Sequence, residues 1–226
     1  MYLKWKAKIV TDFSDSNVND LYNHGFLFTR EGRGAMYETR SVRVDLSKFK
    51  LSSENRRVLR KTEDLSLKVE DLPYADYSWE IGKMGKDFYE TKFGTGVFSA
   101  NKIKELMTDD QKSNFNRVFA YTSATPPAPS WKEGDAIGYC ICLETDEILH
   151  YCYPFYILDT KYKIFNTGLG MMTRAVVWAQ EEGKEYIYLG SAKDAAALYK
   201  FQFAGVEWWD GKEWKSDADE IKKVLK

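Results

Sequence analysis

The chain has 226 residues, of which 44% are hydrophobic and 15% aromatic, and its formal net charge at pH 7 is −1. This composition is typical of a globular protein with a substantial core, and the near-neutral charge excludes attraction of the whole molecule to nucleic acid or to a membrane. No run approaches the ~18 apolar residues of a membrane span, and the lysines that alternate with apolar residues at the N-terminus are unlike a signal peptide.

The first half of the chain predicts short strands separated by helices. Strands are expected at 2–10, at two or three places within 26–49, at 65–72 and at 117–123. Helices are expected at 14–25, within 52–65 and, with a glycine-containing break, at 77–116. Ser52 or Ser53 is the expected N-cap of the second of these helices.

The proline-rich run 124–135 predicts a loop and is the best candidate for a boundary between an N-terminal lobe, 1–125, and a C-terminal lobe, 126–226. The second half then alternates strands with helices. Strands are expected at 136–144, 148–158, 185–190 and in a hairpin at 206–214. Helices are expected at 171–183, at 193–203 and at the C-terminus, where Ser216 with Asp219 predicts a capping box.

Cysteine and histidine are too sparse to predict a metal site. The three cysteines, Cys140, Cys142 and Cys152, lie in apolar strand-like runs, and a C-x-C pair without a second pair is a poor zinc signature. Reduced, buried thiols are therefore the expected state, as in the cytoplasm. His24 and His150 have no second histidine at ligand spacing, so both are interpreted as structural.

The segment "NTGLG", residues Asn166, Thr167, Gly168, Leu169 and Gly170, precedes the helix predicted at 171–183. Backbone N–H groups at the start of a helix, next to glycines that allow close approach, can bind a phosphate. The alternative is that this segment is only a strand-to-helix turn.

Residues 165–205 resemble the acyl-CoA N-acyltransferase (GNAT) superfamily. Gly168 and Gly170 match the glycines of its pyrophosphate loop, with Phe165 where Gln or Arg is usual. A later motif is matched by Ala195–Ala197, Tyr199 and Phe203. The resemblance implies an α+β (mixed α/β) fold with a central mixed sheet flanked by helices, plus a smaller N-terminal α/β lobe.

The first half narrows the resemblance to the aminoacyl-tRNA–protein transferases, the arginyl and leucyl transferases. Matching positions are Leu21, Gly25, Phe26, Tyr37, Arg43, Val44, Phe49, Ser52, Arg56, Arg57, Leu59, Arg60, Asp64 and Leu65. In the second half they are Tyr188, Leu189, Gly190, Tyr199, Lys200 and Phe203. The family's N-terminal cysteines are absent, so the chain resembles a shortened, divergent member.

This resemblance implies transfer of an amino acid from aminoacyl-tRNA to the α-amine of a protein with an acidic N-terminus, the tagging step of the N-degron pathway, in the cytoplasm. No cofactor or metal is implied, because the aminoacyl ester is already activated. Tyr199 stands where related acyltransferases place a general acid; otherwise its ring packs in the core. The "NTGLG" segment would bind the terminal nucleotide's phosphate or the substrate carbonyl.

The helix predicted within 52–65 carries a basic arc of Arg56, Arg57, Arg60 and Lys61, opposite an apolar side. A solvated surface is the default interpretation of such an arc. The alternatives are contact with tRNA phosphates, or one arginine that pairs with the acceptor's acidic side chain. Further candidates for acceptor or tRNA recognition are Tyr37, Arg43 and Lys200.

Two other functions remain open from the sequence. One is an N-acetyltransferase that uses acetyl-CoA, which the two glycines of the "NTGLG" segment favour. The other is a catalytically idle relative that binds an N-terminus or a nucleic acid, which the missing family residues favour. The oligomeric state is not predicted.

Overall fold

The computed structural model describes residues 3–124, 135–158 and 166–226. The α-helices of these residues are α1 (Asp15–Asn23), α2 (Ser53–Lys61), α3 (Trp79–Phe93), α4 (Ala100–Thr108), α5 (Thr167–Glu181) and α6 (Ala218–Val224). A 3-10 helix covers Ala195–Gln202. The strands are β1 (Lys6–Ile9), β2 (Phe26–Phe28), β3 (Ala35–Glu38), β4 (Ser41–Asp45), β5 (Leu65–Asp71), β6 (Arg117–Ser123), β7 (Ala136–Glu144), β8 (Ile148–Tyr156), β9 (Tyr186–Ser191), β10 (Val206–Trp209) and β11 (Trp214–Lys215).

The strands form two sheets. A three-stranded antiparallel sheet has the order β1-β3-β2, and an eight-stranded sheet has the order β11-β10-β4-β9-β8-β7-β6-β5. The larger sheet is mixed, because β8 and β9 pair in parallel whereas β4 with β9 and β5 with β6 pair antiparallel. The predicted mixed α/β fold with a large central mixed sheet flanked by helices is therefore confirmed.

The contacts of the chain define two compact units, each assembled from separated segments. The first comprises Met1–Arg56, Glu144–Cys152 and Val176–Lys226, and the second comprises Arg57–Leu143 and Tyr153–Ala175. The predicted loop at 124–135 and the boundary predicted between 125 and 126 lie almost entirely outside the described residues. That boundary stays a prediction.

The core of the first unit is rich in aromatic side chains. Tyr22, Val42, Val44 and Tyr188 are fully buried, and the rings of Tyr22 and Tyr188 meet edge to face with centroids 4.9 Å apart. Burial of rings and β-branched side chains removes a large apolar area from water, which is the main force that stabilises the unit.

The second unit buries the inner faces of β6 and β7 against helical side chains. Phe119, Tyr121, Ile141 and Ile103 are all 0% exposed, in agreement with the apolar runs from which those elements were predicted. Within the described residues, no helix is both long enough and apolar enough to cross a membrane.

The helix caps confirm one prediction and correct another. At α2, the N–H of Asn55 donates to Ser52 Oγ at 3.1 Å and the N–H of Ser52 donates to Asn55 Oδ1 at 3.1 Å, so Ser52 is the cap. At α6, the predicted capping box of Ser216 with Asp219 is wrong. The Asp217 carboxylate accepts the Asp219 N–H at 2.8 Å, because it stands immediately before the helix.

Candidate functional site

The parallel strands β8 and β9 are paired over only part of their length. Their register runs from Ile148–Tyr186 to His150–Tyr188, whereas β8 continues to Tyr156 and β9 to Ser191. Because side chains alternate along a strand, His150 and Cys152 project from one face of β8. Side chains of the first unit gather where this pairing ends, and they form the candidate site.

Lys200 lies at the centre of this site. Its side chain is buried, and its Nζ donates a hydrogen bond to the backbone carbonyl of Ser191 at 2.7 Å. Gly190 borders the amine: a Cβ there would make an ordinary contact of 3.6 Å with Nζ, and it is the backbone φ of +80° that favours glycine at this position. Among the described residues no carboxylate pairs with Lys200, and burial lowers the pKa of its amine to about 8.

His150 lies beside Lys200 and is 1% exposed. Its Nδ1 is 2.9 Å from the hydroxyl of Tyr22, and the oxygen of that hydroxyl accepts the N–H of Phe28 at 3.3 Å. Burial, and then the charge of Lys200, lower the pKa of His150 to about 3, so the imidazole is neutral. Burial also raises the pKa of Tyr22 well above its usual range, which keeps its hydroxyl a donor.

These hydrogen bonds are compatible with one tautomer of His150 in particular. The Tyr22 hydroxyl accepts the Phe28 N–H, and when it donates its own proton to His150 Nδ1 the neutral imidazole carries its proton on Nε2. Within the described residues, Nε2 is buried and has no hydrogen-bond partner. His150 was interpreted from the sequence as structural because no second histidine lies at ligand spacing, so this donor was missed.

The rim of the site is partly accessible. Cys152, Gly190 and Ser191 are each of intermediate exposure, and Cys152 lies within electrostatic range of Lys200 and Tyr22. We call Lys200, His150, Tyr22, Cys152 and Gly190 the Lys200 cluster.

Cys140 and Cys142 are reduced and buried, as predicted, and the described part of the chain contains no group of three His, Cys, Asp or Glu that could hold a metal ion.

Arg43 belongs to a buried network next to the Lys200 cluster. Its Nε and Nη2 each lie 2.9 Å from Glu207 Oε2, and its Nη1 donates to Asn23 Oδ1 at 2.9 Å. The guanidinium is also held between the rings of Tyr186 and Trp214, with centroids 3.9 and 4.0 Å away. With these partners and 8% side-chain exposure, the guanidinium also holds neighbouring elements together, and acceptor recognition by Arg43 stays a prediction.

The network and the Lys200 cluster meet at Tyr188. Its hydroxyl is 3.4 Å from Arg43 Nη1, and its ring contacts that of Tyr22. Burial raises the pKa of Tyr188 to about 12, so it stays uncharged. Residues from α1, β4, β8, β9 and the 3-10 helix are therefore brought together in the first unit.

Tyr199 lies on the outer side of the same 3-10 helix. Its side chain is 50% exposed, which contradicts the alternative that the ring packs in the core. Lys200 Nζ is 6.0 Å from the centroid of the Tyr199 ring. The hydroxyl of Tyr199 is thus accessible to a substrate close to the buried amine.

The segment Asn166–Gly170 lies in the second unit and forms the start of α5. Gly168 and Gly170 fall inside the first helical turn, and the Gly170 N–H donates to the carbonyl of Asn166 at 2.8 Å. A Cβ at Gly168 would lie 2.8 Å from the ring of Tyr156, and one at Gly170 would lie 2.7 Å from Thr62 Oγ1. Close packing against side chains therefore requires both glycines, whether or not a ligand also binds.

The basic arc of α2 is confirmed as the exposed side of the helix. Arg56, Arg60 and Lys61 are exposed and Arg57 is partly so, whereas Val58 is fully buried. The Nη1 of Arg56 donates to the carbonyl of Leu51 at 2.6 Å, which leaves its other donors at the surface.

Tyr37, on β3 of the smaller sheet, does not join the Lys200 cluster. Its hydroxyl donates to the carboxylate of Glu31, which raises the pKa of Tyr37 to about 12. The ammonium of Lys4 lies over its ring, 4.3 Å from the centroid.

The mixed α/β fold, with its large mixed sheet flanked by helices, has a counterpart among solved structures. The chain is similar to the structure of FemX, with a TM-score of 0.51 and 10% sequence identity over 96% of this chain and 72% of that chain. This similarity concerns the fold alone.

Distant relatives are named aspartate/glutamate leucyltransferase. That of Ruegeria pomeroyi is 23% identical over 182 residues, which cover 79% of this chain and 62% of the relative. That of Xanthomonas oryzae pv. oryzae strain PXO99A is 21% identical over 175 residues, 76% of this chain and 67% of the relative. The chain therefore spans about two thirds of the length of these relatives, and no family model matches it.

Proposed function

We propose that the protein is an aminoacyltransferase that moves an amino acid from aminoacyl-tRNA to the N-terminal α-amine of an acceptor protein with an acidic N-terminus. The observation that carries this proposal is the similarity to aspartate/glutamate leucyltransferases over 182 residues. That stretch is 79% of the chain, so the similarity extends over most of a GNAT-like fold.

Because the aminoacyl ester is already activated, the enzyme needs mainly to position the two substrates and to transfer protons. The α-amine has a pKa near 8, so a sizeable fraction is the free amine near neutral pH. The amine attacks the ester carbonyl, the C–N bond forms and the bond to the ribose oxygen breaks. The nitrogen gives up one proton, which restores the proton donor, and the ribose oxygen gains one. The accessible hydroxyl of Tyr199 is the proposed donor of this proton.

The proposed tRNA contacts are the start of α5 and the basic arc of α2. Backbone N–H groups in the segment Asn166–Gly170 would bind the terminal phosphate or the ester carbonyl. Arg56, Arg57 and Arg60 would contact phosphates further along the tRNA, an interaction that requires a local cluster because the net charge of the chain is −1.

Leucine is the first donor to test, because the named relatives are leucyltransferases. Arginine, the donor of the other branch of the family, is the comparison. The proposed reaction needs no cofactor beyond the charged tRNA, and the cytoplasm, where charged tRNA is found, is the proposed location.

The test is a transfer assay with purified protein, tRNA charged with radiolabelled leucine or arginine, and a peptide with N-terminal Asp. We expect label to enter the peptide from one of the two tRNAs and not to enter the same peptide with an acetylated N-terminus. Absence of transfer from both tRNAs, together with acetylation of the peptide from acetyl-CoA, would refute the proposal.

A second measurement tests the tRNA contacts. Replacement of Arg56, Arg57, Arg60 and Lys61 by Gln should weaken tRNA binding whichever amino acid the tRNA carries. The slope of log affinity against log salt should fall by about one for each side chain that no longer binds a phosphate. Binding and salt slope equal to those of the wild type would mean that the arc is only solvated.

A further inference from the structure

The Lys200 cluster contains two buried hydrogen-bond donors that lack an acceptor of matching strength. The ammonium of Lys200 uses one of its three donor positions, on the Ser191 carbonyl. The Nε2–H of His150 uses none within the described residues. A buried donor whose hydrogen-bonding capacity is unused costs free energy. A site that retains an unused His150 nitrogen and an ammonium with two unused positions is therefore suited to a ligand that supplies acceptors.

The groups around these donors do not supply that acceptor. The titratable neighbours from the packed elements are Tyr22 of α1, Cys152 of β8 and Tyr188 of β9, and the described residues place no Asp or Glu against Lys200. The hydroxyl of Tyr22 is already occupied by Phe28 and His150. The site therefore presents donors and positive charge.

We propose that Lys200 and His150 form a carboxylate-binding site whose ligand is the side-chain carboxylate of the acceptor's N-terminal Asp or Glu. One oxygen would accept from the ammonium and the other from Nε2–H of His150. This inference rests on the proposed function and names the residues that select its acceptor.

The donor set distinguishes a carboxylate from its closest mimics. A phosphate monoester is bulkier than a carboxylate and carries close to two negative charges, whereas the site offers a single cation. An Asn or Gln amide would direct its NH₂ group at one of the two donors and leave it unpaired, which makes the amide a poor ligand. The half-buried rim of Cys152, Gly190 and Ser191 gives the carboxylate access.

The test is calorimetric binding of two tripeptides, Asp-Ala-Ala and Asn-Ala-Ala, without tRNA. We expect wild-type protein to bind the Asp peptide roughly tenfold to a hundredfold more tightly, as for a charge-assisted hydrogen bond. Lys200→Met should abolish the preference, and Lys212→Met, at an exposed lysine of the β10–β11 hairpin, should retain it. Equal binding of both peptides by wild type, or a preference that survives Lys200→Met, would overturn the proposal.

A second readout uses only wild-type protein. A carboxylate bound to Lys200 stabilises the ammonium, so binding of the Asp peptide at pH 9 should take up protons and the Asn peptide should not. The measured enthalpy should then differ between buffers of different ionisation enthalpy for the Asp peptide alone. Binding of the Asp peptide without proton uptake would overturn the assignment to Lys200.

These results are separable from those of the transfer assay. Carboxylate-dependent binding without transfer from either tRNA would refute the proposed function and support the site. In the transfer assay, Lys200→Met could instead slow transfer equally to Asp- and Asn-initiated acceptors. That result would overturn the proposed carboxylate site, since the amine would then act on the reacting atoms and not on the choice of acceptor.

Discussion

Replacement of Lys200 by Met should make the protein more stable. The amine is buried without a carboxylate partner among the described residues, and burial lowers its pKa from 10.5 to about 8. Between these two pH values the folded protein binds fewer protons than the unfolded chain, so stability rises with pH across that window. Below pH 8 the full cost of the buried charge is present, and above pH 10.5 it is absent.

The size of the effect follows from this shift. At ~1.36 kcal/mol for each pKa unit, the buried charge costs ~3 kcal/mol at neutral pH. Met retains an unbranched side chain of similar length but loses the hydrogen bond to Ser191, which is worth ~1 kcal/mol. The expected net gain is therefore ~2 kcal/mol at pH 7, or ~4–8 °C in Tm for a chain of this size.

Urea denaturation of wild type and Lys200→Met at pH 7 and at pH 10.5 measures this difference. The gain should be largest at pH 7 and should disappear, or become a small loss, at pH 10.5. Lys212→Met, at an exposed lysine, should change stability by less than ~0.5 kcal/mol at both values. A Lys200→Met protein that is less stable than wild type at pH 7, or a difference that is independent of pH, would refute the reasoning.

Three further substitutions test other parts of the molecule. Arg43→Met removes the main partner of the largely buried Glu207 carboxylate, and we expect the free energy of unfolding in urea to fall by ~3 kcal/mol. The double variant Arg43→Met/Glu207→Met should recover much of this loss. Gly170→Ala places a Cβ 2.7 Å from Thr62 Oγ1 and should cost ~1–3 kcal/mol in the same experiment. Tyr199→Phe should slow transfer by roughly tenfold to a thousandfold with an unchanged Tm, as measured by single-turnover kinetics.

Each of these has a control or an opposing outcome. Lys48 Nζ lies 3.1 Å from Glu207 Oε1 and can partly neutralise that carboxylate once Arg43 is gone. A loss of stability well above ~3 kcal/mol in Arg43→Met would mean that Lys48 does little to neutralise Glu207. Gly32→Ala is the matched glycine control, because no atom lies within 4 Å of a Cβ there and its stability should be nearly unchanged. Wild-type turnover in Tyr199→Phe would exclude the proton-donor role.

The sequence by itself predicted most of the secondary structure. Period-two and helical patterns located the strands at 117–123 and 136–144 and the exposed arc of α2, since a side chain's face follows from the geometry of its own element. The motifs at 21–69 and 165–205 also indicated a resemblance to the aminoacyl-tRNA–protein transferases, and the distant relatives that align with the chain are named aspartate/glutamate leucyltransferase.

The same patterns carried no information on the environment of the candidate residues. Arg43 and Lys200 were both matched as recognition residues, yet Arg43 is held by Glu207 and two rings, while Lys200 is buried with one carbonyl partner. The two side chains differ in their neighbours, and those neighbours lie on other elements.

Only the tertiary structure determined the chemistry of the Lys200 cluster. The tautomer of His150 depends on a hydrogen bond to Tyr22, 128 positions earlier in the chain. That contact joins α1 to β8, two elements whose proximity no local pattern of hydrophobicity encodes. Periodicity specifies which face of an element is buried, whereas the pKa and the hydrogen bonds of a buried group depend on which faces meet.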